Sequence, residues 1–270
     1  MISDGQILVF FILPLLNPLA SMKAILLKEY GSADQLYIGE YLTPEPQPYE
    51  VMVRVHATAL NRSDILQREG HYPPPLDASP VLGLEIAGVV VAVGRNVTRW
   101  RKGDRVFGLI PGGGYAEFAV IHEDMAMPVP VGWDFTKAAA IPEVFLTAYQ
   151  ALRWVGKLAE GERVLLHAGA SGVGTAAIQL ARLMGAEVLV TASSGKHKLC
   201  LKLGAKHAID YKKGPFLDEL KELTNGEGVN VIVDPVGGDY FNQNIQALQP
   251  DGRLVMLAVM AGGKVDTNIG

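Results

Sequence analysis

The sequence predicts an α/β chain in two parts, a mostly-β domain over residues 22–142 and a doubly wound, parallel-sheet domain over residues 143–270. Three observations carry that prediction. From Met22 to about Pro130, short apolar runs alternate with Pro- and Gly-rich loops, the pattern of a β-domain. From Val164 onward, short apolar runs alternate with helical stretches, the pattern of βαβ units. Between Arg163 and Arg182, RVLLHAGASGVGTAAIQLAR joins a buried strand to an amphipathic helix through a glycine turn.

Taken in order, the strands of the first domain are expected at Lys23–Lys28, Val51–Ala57, Glu85–Val93, Arg105–Leu109 and Ala116–Ile121. Ser63 to Gly70 offers a short helix with Gly70 as its stop. A helical stretch begins at Thr136, breaks at Pro142 and resumes from Val144 to Trp154, carrying the chain into the second domain. There, strands at Val164–His167, Val188–Ala192, Ala208–Tyr211, Val229–Asp234 and Leu254–Val259 alternate with helices at Val173–Leu183, Lys196–Leu203, Leu217–Leu223 and Tyr240–Leu248. A doubly wound sheet of order 3-2-1-4-5-6 wants one more strand than this, so the second domain is expected to lack its last strand. Met1 to Ser21 reads as an appended apolar segment outside the fold. Its run Ile7–Leu16 is too short to span a bilayer and has no Lys or Arg before it, and a weak membrane or targeting role is the alternative.

With 49% hydrophobic and 19% charged residues over 270 positions, the chain can bury an ample core. A net charge of -4 without a sustained Lys/Arg block argues against nucleic acid as a main partner and against an anionic membrane surface, and with the apolar run too short to span a bilayer no stable membrane insertion is expected. The single cysteine, Cys200, excludes an internal disulfide and a Cys-based structural zinc site, and fits a reducing, cytoplasmic setting. Its leucine neighbours favour a packed helix position over a reactive thiol.

Chemistry concentrates in the glycine turn. Gly172-Val-Gly174-Thr-Ala-Ala177 matches G-x-G-x-x-G/A where strand becomes helix, a spacing that lets backbone amides and the helix dipole meet a pyrophosphate. An ordinary Gly-rich turn is the alternative, and the following strand Glu187–Thr191 weakens it. After that strand an NAD site usually carries an acid for the ribose 2′-hydroxyl; here stand Thr191, Ala192, Ser193, Ser194, Gly195 and Lys196. No carboxylate repels a 2′-phosphate, and Ser193 and Lys196 can bind one, so the expected cofactor is NADPH. For Lys196 alone, a solvated lysine at a helix start is as good a reading.

The motifs Asn61-Arg-Ser-Asp64, Gly83-Leu-Glu-Ile-Ala-Gly88, Gly103-Asp-Arg-Val106, Gly113-Gly-Tyr-Ala-Glu117 and Ala139-Ala-Ile-Pro142 resemble the medium-chain dehydrogenase/reductase superfamily. Within it, Pro111-Gly-Gly-Gly114 and His167-Ala-Gly-Ala-Ser-Gly-Val-Gly174 are most similar to the zeta-crystallin-like quinone oxidoreductases, in particular the tumour-suppressor-inducible NADPH:quinone oxidoreductase subfamily. The resemblance implies a GroES-like domain followed by a Rossmann domain, with an acceptor cleft between them. It places Ala168, Gly169, Ser171, Gly172, Val173 and Gly174 in the cofactor loop, Glu143 and Thr147 beside the nicotinamide ribose, Tyr211 near the adenosine phosphate, and Asn61 and Tyr72 facing the acceptor. For Asn61 a turn or cap role is the alternative, and for Tyr72 packing on its neighbouring prolines. Zinc-dependent relatives carry Cys and His ligands where this chain has Asn61 and Leu84, so no metal is expected. Relatives pair through the sixth strand, which implies a homodimer for a form that carries it and not for this chain. The expected activity is hydride transfer from NADPH to a quinone; the alternatives are an enone or enal reductase, or a truncated, non-catalytic NADPH-binding form.

Overall fold

The computed structural model describes residues 20–267 and divides them at Ala139/Ala140 into two compact units. The appended segment predicted over Met1 to Ser21 lies outside the described residues except for Ala20 and Ser21, and Ser21 already opens the first strand.

In the first unit, β1 (Ser21–Leu27) and β2 (Leu36–Leu42) form an antiparallel hairpin. The main sheet has the order β6-β3-β4-β5-β7, built from β3 (Glu50–Thr58), β4 (Glu85–Val93), β5 (Arg105–Leu109), β6 (Phe118–His122) and β7 (Met127–Pro128). Every pairing in it is antiparallel. Alternate residues of these strands point inward, so Val51, Val53, Ile86, Val90, Val106 and Ile121 fill the core with Trp100 at its edge. Helix α1 (Arg62–Arg68) follows β3, with Gly70 at φ 80° ending it as predicted, and α2 (Phe135–Ala139) closes the unit. Two strands went unread in the sequence. β2 carries Gly39, which weakens a strand pattern; a Cβ there would meet the flexible ends of Leu26, across the hairpin, and Tyr37 at 2.8 and 2.9 Å. β7 is only two residues long.

The second unit holds a parallel sheet of order β10-β9-β8-β11-β12. Its strands are β8 (Arg163–Leu166), β9 (Glu187–Thr191), β10 (His207–Ile209), β11 (Val229–Asp234) and β12 (Leu248–Met256). Chain order across the sheet is therefore 3-2-1-4-5, the doubly wound arrangement among the described residues. Both faces are covered. Val164 and Leu166 pack with Val188, Val190, Ile178 and Cys200 on one side, while Leu165, Leu189, Ile232 and Phe216 pack on the other. That two-sided burial is why the strands read as continuous apolar runs. The covering helices are α3 (Pro142–Tyr149), α4 (Gly172–Leu183), α5 (His197–Leu203), α6 (Phe216–Leu223) and α7 (Tyr240–Ala247). Cys200 is fully buried, and burial pushes its thiol pKa up, which suits packing and not reactivity.

Several boundaries differ from expectation, two of them for a local physical reason. The helix resumes at Pro142 itself, not at Val144, because proline has no amide to lose at the first helical position; beyond Tyr149 it continues as a π-helical turn, Gln150–Val155. β12 starts at Leu248 and ends at Met256, whereas Leu254–Val259 was expected. The Gln249-Pro-Asp-Gly252 turn signal is absorbed as an irregularity in register, with Asp251 at φ 63°, and the residues after Met256 leave the sheet to pair with the loop following β11.

Candidate dinucleotide-binding site

The site is built at the carboxyl end of β8. His167 follows the strand, buried, and Ala168 takes a left-handed backbone, φ 52°, that a residue with a side chain adopts only at a cost. The turn then passes into α4. Gly174 makes that passage possible, since a Cβ there would lie 2.4 Å from the Ala168 carbonyl oxygen. Ser171 caps the helix: its Oγ accepts the Gly174 amide at 3.1 Å. Gly172 and Val173, at the head of the helix, have no carbonyl one turn back to bind, so their amides and the positive end of the helix dipole are available to an anion. On the other side of the turn α3 packs close, with Val144 Cγ1 2.9 Å from where a Cβ of Gly172 would sit. Glu143 and Thr147 are on that helix, and the Thr147 hydroxyl lies 3.4 Å from Glu143 Oε1.

A cavity of about 270 Å³ opens beside the turn. Ala168, Ser171, Ser193, Lys196 and Tyr211, all predicted cofactor residues, line it together. Ala170, Thr191, Ala192, Val236, Tyr240 and Met260 complete its walls. Val236 belongs to the Asp234-Pro-Val-Gly-Gly238 segment whose place at a strand's carboxyl edge is a sequence-readable sign of a ligand. Tyr240 and Met260 carry no such signal; they reach the cavity only because α7 and the segment after β12 fold back over that edge. Burial, and then Tyr211 and Asp234 nearby, push the Tyr240 hydroxyl up to about 12, so it stays a hydrogen-bond donor.

Beneath Ser193–Lys196 lies a carboxylate that sequence reasoning passed over, Asp210 at the end of β10. The Lys212 amide, then the Ser194 hydroxyl and amide, hold it below the ordinary carboxylate range. Its oxygens are occupied by the protein, and it is buried, so it braces the turn that presents Ser193 and Lys196. The signal was present in the sequence as Asp210-Tyr211, but only the parallel pairing of β10 with β9 brings it under Ser194.

Asn61 and Tyr72 belong to the first unit. Asn61 is the residue before α1; its amide N–H donates to Asp64 Oδ2 at 2.7 Å and its Nδ2 donates to Glu85 Oε1 at 2.7 Å. Tyr115 donates to the same Asp64 oxygen at 2.8 Å, and burial followed by that bond raises its own pKa well above the usual phenol value. Asn61 thus ties α1 to the buried start of β4, the capping alternative, with its second amide hydrogen left over. Tyr72 is half exposed in a proline loop. A larger cavity, about 880 Å³, lies between the β1–β2 hairpin and β3 and is lined by neither residue. Size alone does not locate the chemistry here, because that cavity lacks the convergent anion-binding groups of the smaller one.

The region around Asn61 and Leu84 does not fit a catalytic zinc. Leu84 has no ligand atom, the Asn61 amide is bound to Glu85, and the described residues contain no group of three His, Cys, Asp or Glu side chains placed to hold a metal. Nor is any helix among them long and apolar enough to cross a membrane.

A sheet-rich unit followed by a doubly wound parallel sheet with a dinucleotide fingerprint defines a two-domain chain whose second domain is of the Rossmann dinucleotide-binding class. Residues 47–131 match the alcohol dehydrogenase GroES-like domain, and residues 172–269 match the zinc-binding dehydrogenase domain. The quinone oxidoreductase of Rattus norvegicus is 34% identical over 92% of this chain and 75% of its own length. The chain belongs to the medium-chain dehydrogenase/reductase superfamily. Among solved structures, CurK enoyl reductase superposes with a TM-score of 0.84 at 34% identity, covering 90% of this chain and 76% of that one. The quinone oxidoreductase of Pseudomonas syringae pv. Tomato DC3000 gives 0.82 at 35% identity, covering 92% and 77%. A phenolphthiocerol/phthiocerol polyketide synthase of Mycobacterium tuberculosis is 37% identical over 84% of the chain, which spans only 10% of that much longer protein.

Proposed function

We propose that this chain is an NADPH-dependent, zinc-independent oxidoreductase whose acceptor is a quinone, with domains over residues 22–142 and 143–270. The observation that carries the reading is the cavity beside a capped helix head, where Ser193 and Lys196 converge with Ser171 and Tyr211. Bound there, NADPH supplies a hydride. The Gly172 and Val173 amides hold the pyrophosphate, and Ala168 and Gly169 let the backbone come close to it. Ser193 and Lys196 take the 2′-phosphate, Tyr211 flanks the adenosine, and Glu143 and Thr147 border the nicotinamide ribose. Toward the acceptor, Asn61 offers its remaining amide hydrogen and Tyr72 its hydroxyl. A quinone asks for orientation and a donor or two, not for strong acid, so these weak donors suffice.

A second reading is favoured by the likeness to CurK enoyl reductase: an enone or enoyl thioester takes hydride at carbon and needs a proton at its neighbour. Steady-state turnover with NADPH against a quinone series and a 2-enoyl thioester separates the two. A higher kcat/KM for quinones supports the first reading and the reverse ranking replaces it. Saturable NADPH binding without turnover of either class identifies a cofactor-binding form.

A further inference from the structure

His167 sits under the dinucleotide cavity, between β8 and the glycine turn, with its ring out of solvent. Asn244 decides where its proton is. The Asn244 amide donates from Nδ2 to Asp234 Oδ2 at 2.8 Å, so its Oδ1, 2.7 Å from His167 Nε2, can only accept. Nε2 therefore carries the hydrogen, an assignment made from the network. In the neutral ring Nδ1 is then an acceptor, and the Thr191 hydroxyl, 2.9 Å away, donates to it. Burial lowers the imidazole pKa against the opposing pull of Asn244 and of the Asp234 charge, which keeps the ring neutral. The chain of bonds continues past Asn244: Asp234 Oδ1 accepts the amides of Val236 at 2.6 Å and Gly237 at 3.1 Å.

The faces of the ring are held as firmly as its edge. Phe216 and Tyr240 both meet it edge-on with centroids 4.7 Å away, and they meet each other at 5.0 Å. Thr191, Tyr240 and Val236 are walls of the cavity, and Ala168, another wall, is the next residue in the chain. One imidazole thus joins walls supplied by the glycine turn, β9, the loop after β11 and α7.

We propose that His167 is a positioning residue for the dinucleotide: held as the Nε2–H tautomer by Asn244, it sets the Thr191, Tyr240 and Val236 walls in the geometry that binds NADPH. The proposal rests on the cofactor reading above. An apolar replacement leaves Asn244 Oδ1 and the Thr191 hydroxyl buried without partners, and their cheapest relief is rotation of Asn244, which releases Asp234 and the Val236–Gly237 turn.

The test is fluorescence titration of the full chain with NADPH, alongside thermal melts, for the unmodified protein, His167→Leu and His167→Gln. His167→Leu is expected to raise Kd about tenfold at a temperature where circular dichroism shows it folded. In His167→Gln one side-chain amide can donate to Asn244 and accept from Thr191, and Kd is expected to return to within about threefold of the original. A lower Tm with unchanged Kd in His167→Leu makes the residue merely structural and overturns the proposal. Absence of saturable NADPH binding in the unmodified chain sinks the cofactor reading itself, so the two failures are distinct. If His167→Leu does not fold, His167→Asn, whose shorter amide can reach only one of the two partners, takes its place: a Kd raised severalfold in the folded variant supports the proposal, and an unchanged Kd overturns it.

Discussion

Lys196 shows how one exposed side chain is asked to choose a cofactor. It stands at the mouth of the cavity with Ser193, above a turn braced by Asp210, and in the proposed reading its charge-assisted bond goes to the 2′-phosphate, which NADH lacks. Lys196→Ala is expected to weaken NADPH binding by about tenfold to hundredfold and leave NADH nearly unchanged, as paired titrations will read. Equal affinity of the unmodified chain for both cofactors would end the assignment. Tyr72 is a different case, half exposed and offered as an orienting donor to the acceptor. Tyr72→Phe should be mild, and Tyr72→Ala should raise KM more than it lowers kcat. A drop in turnover of about a thousandfold in Tyr72→Phe, with NADPH still bound, would mean acid catalysis instead.

At the scale of elements, α4 and its turn depend on a glycine with no room for a side chain. Gly174→Val must push against the Ala168 carbonyl and Gly169, opening the helix head, and NADPH Kd should rise by about tenfold or more while far-ultraviolet circular dichroism changes little. An unchanged Kd would place the pyrophosphate elsewhere. β12 is tied down by Arg253, which grips both Glu162 carboxylate oxygens at 2.8 and 2.6 Å and the Gly156 carbonyl at 2.9 Å. The Arg253 bond, against some burial, lowers the Glu162 pKa from its ordinary 4.5. A depressed folded pKa gives stability that is present above 4.5 and is lost as pH falls through the folded value. Glu162→Gln should therefore cost about 1 kcal/mol at neutral pH and nothing in strong acid, measured by urea melts across that range. A pH-independent difference would assign the loss to packing.

For the whole molecule, the family joins two domains in one chain, and the chemistry of the first one decides whether a metal takes part. With leucine at position 84 and the Asn61 amide engaged by Glu85, turnover should survive dialysis against EDTA, and metal analysis should find no stoichiometric zinc. One tightly held zinc per chain, with rate lost on its removal, would reverse the assignment.

Local physics made much of this protein legible without coordinates. β4, β5 and β11 occur where the apolar runs ended, because turn residues bound them on both sides. The glycine turn was readable because phosphate binding needs small residues at fixed spacing on one short segment, and Ser171, Gly172 and Gly174 stand within four positions of the chain. Tertiary structure alone decided what stands opposite that turn. Asp210 under Ser194, Tyr240 and Met260 in the cavity wall, and the line from Thr191 through His167 and Asn244 to Asp234 join residues far apart in sequence. No local pattern encodes them, because a buried polar group is satisfied by whatever the parallel sheet brings beside it, and that neighbour is fixed by strand order and register.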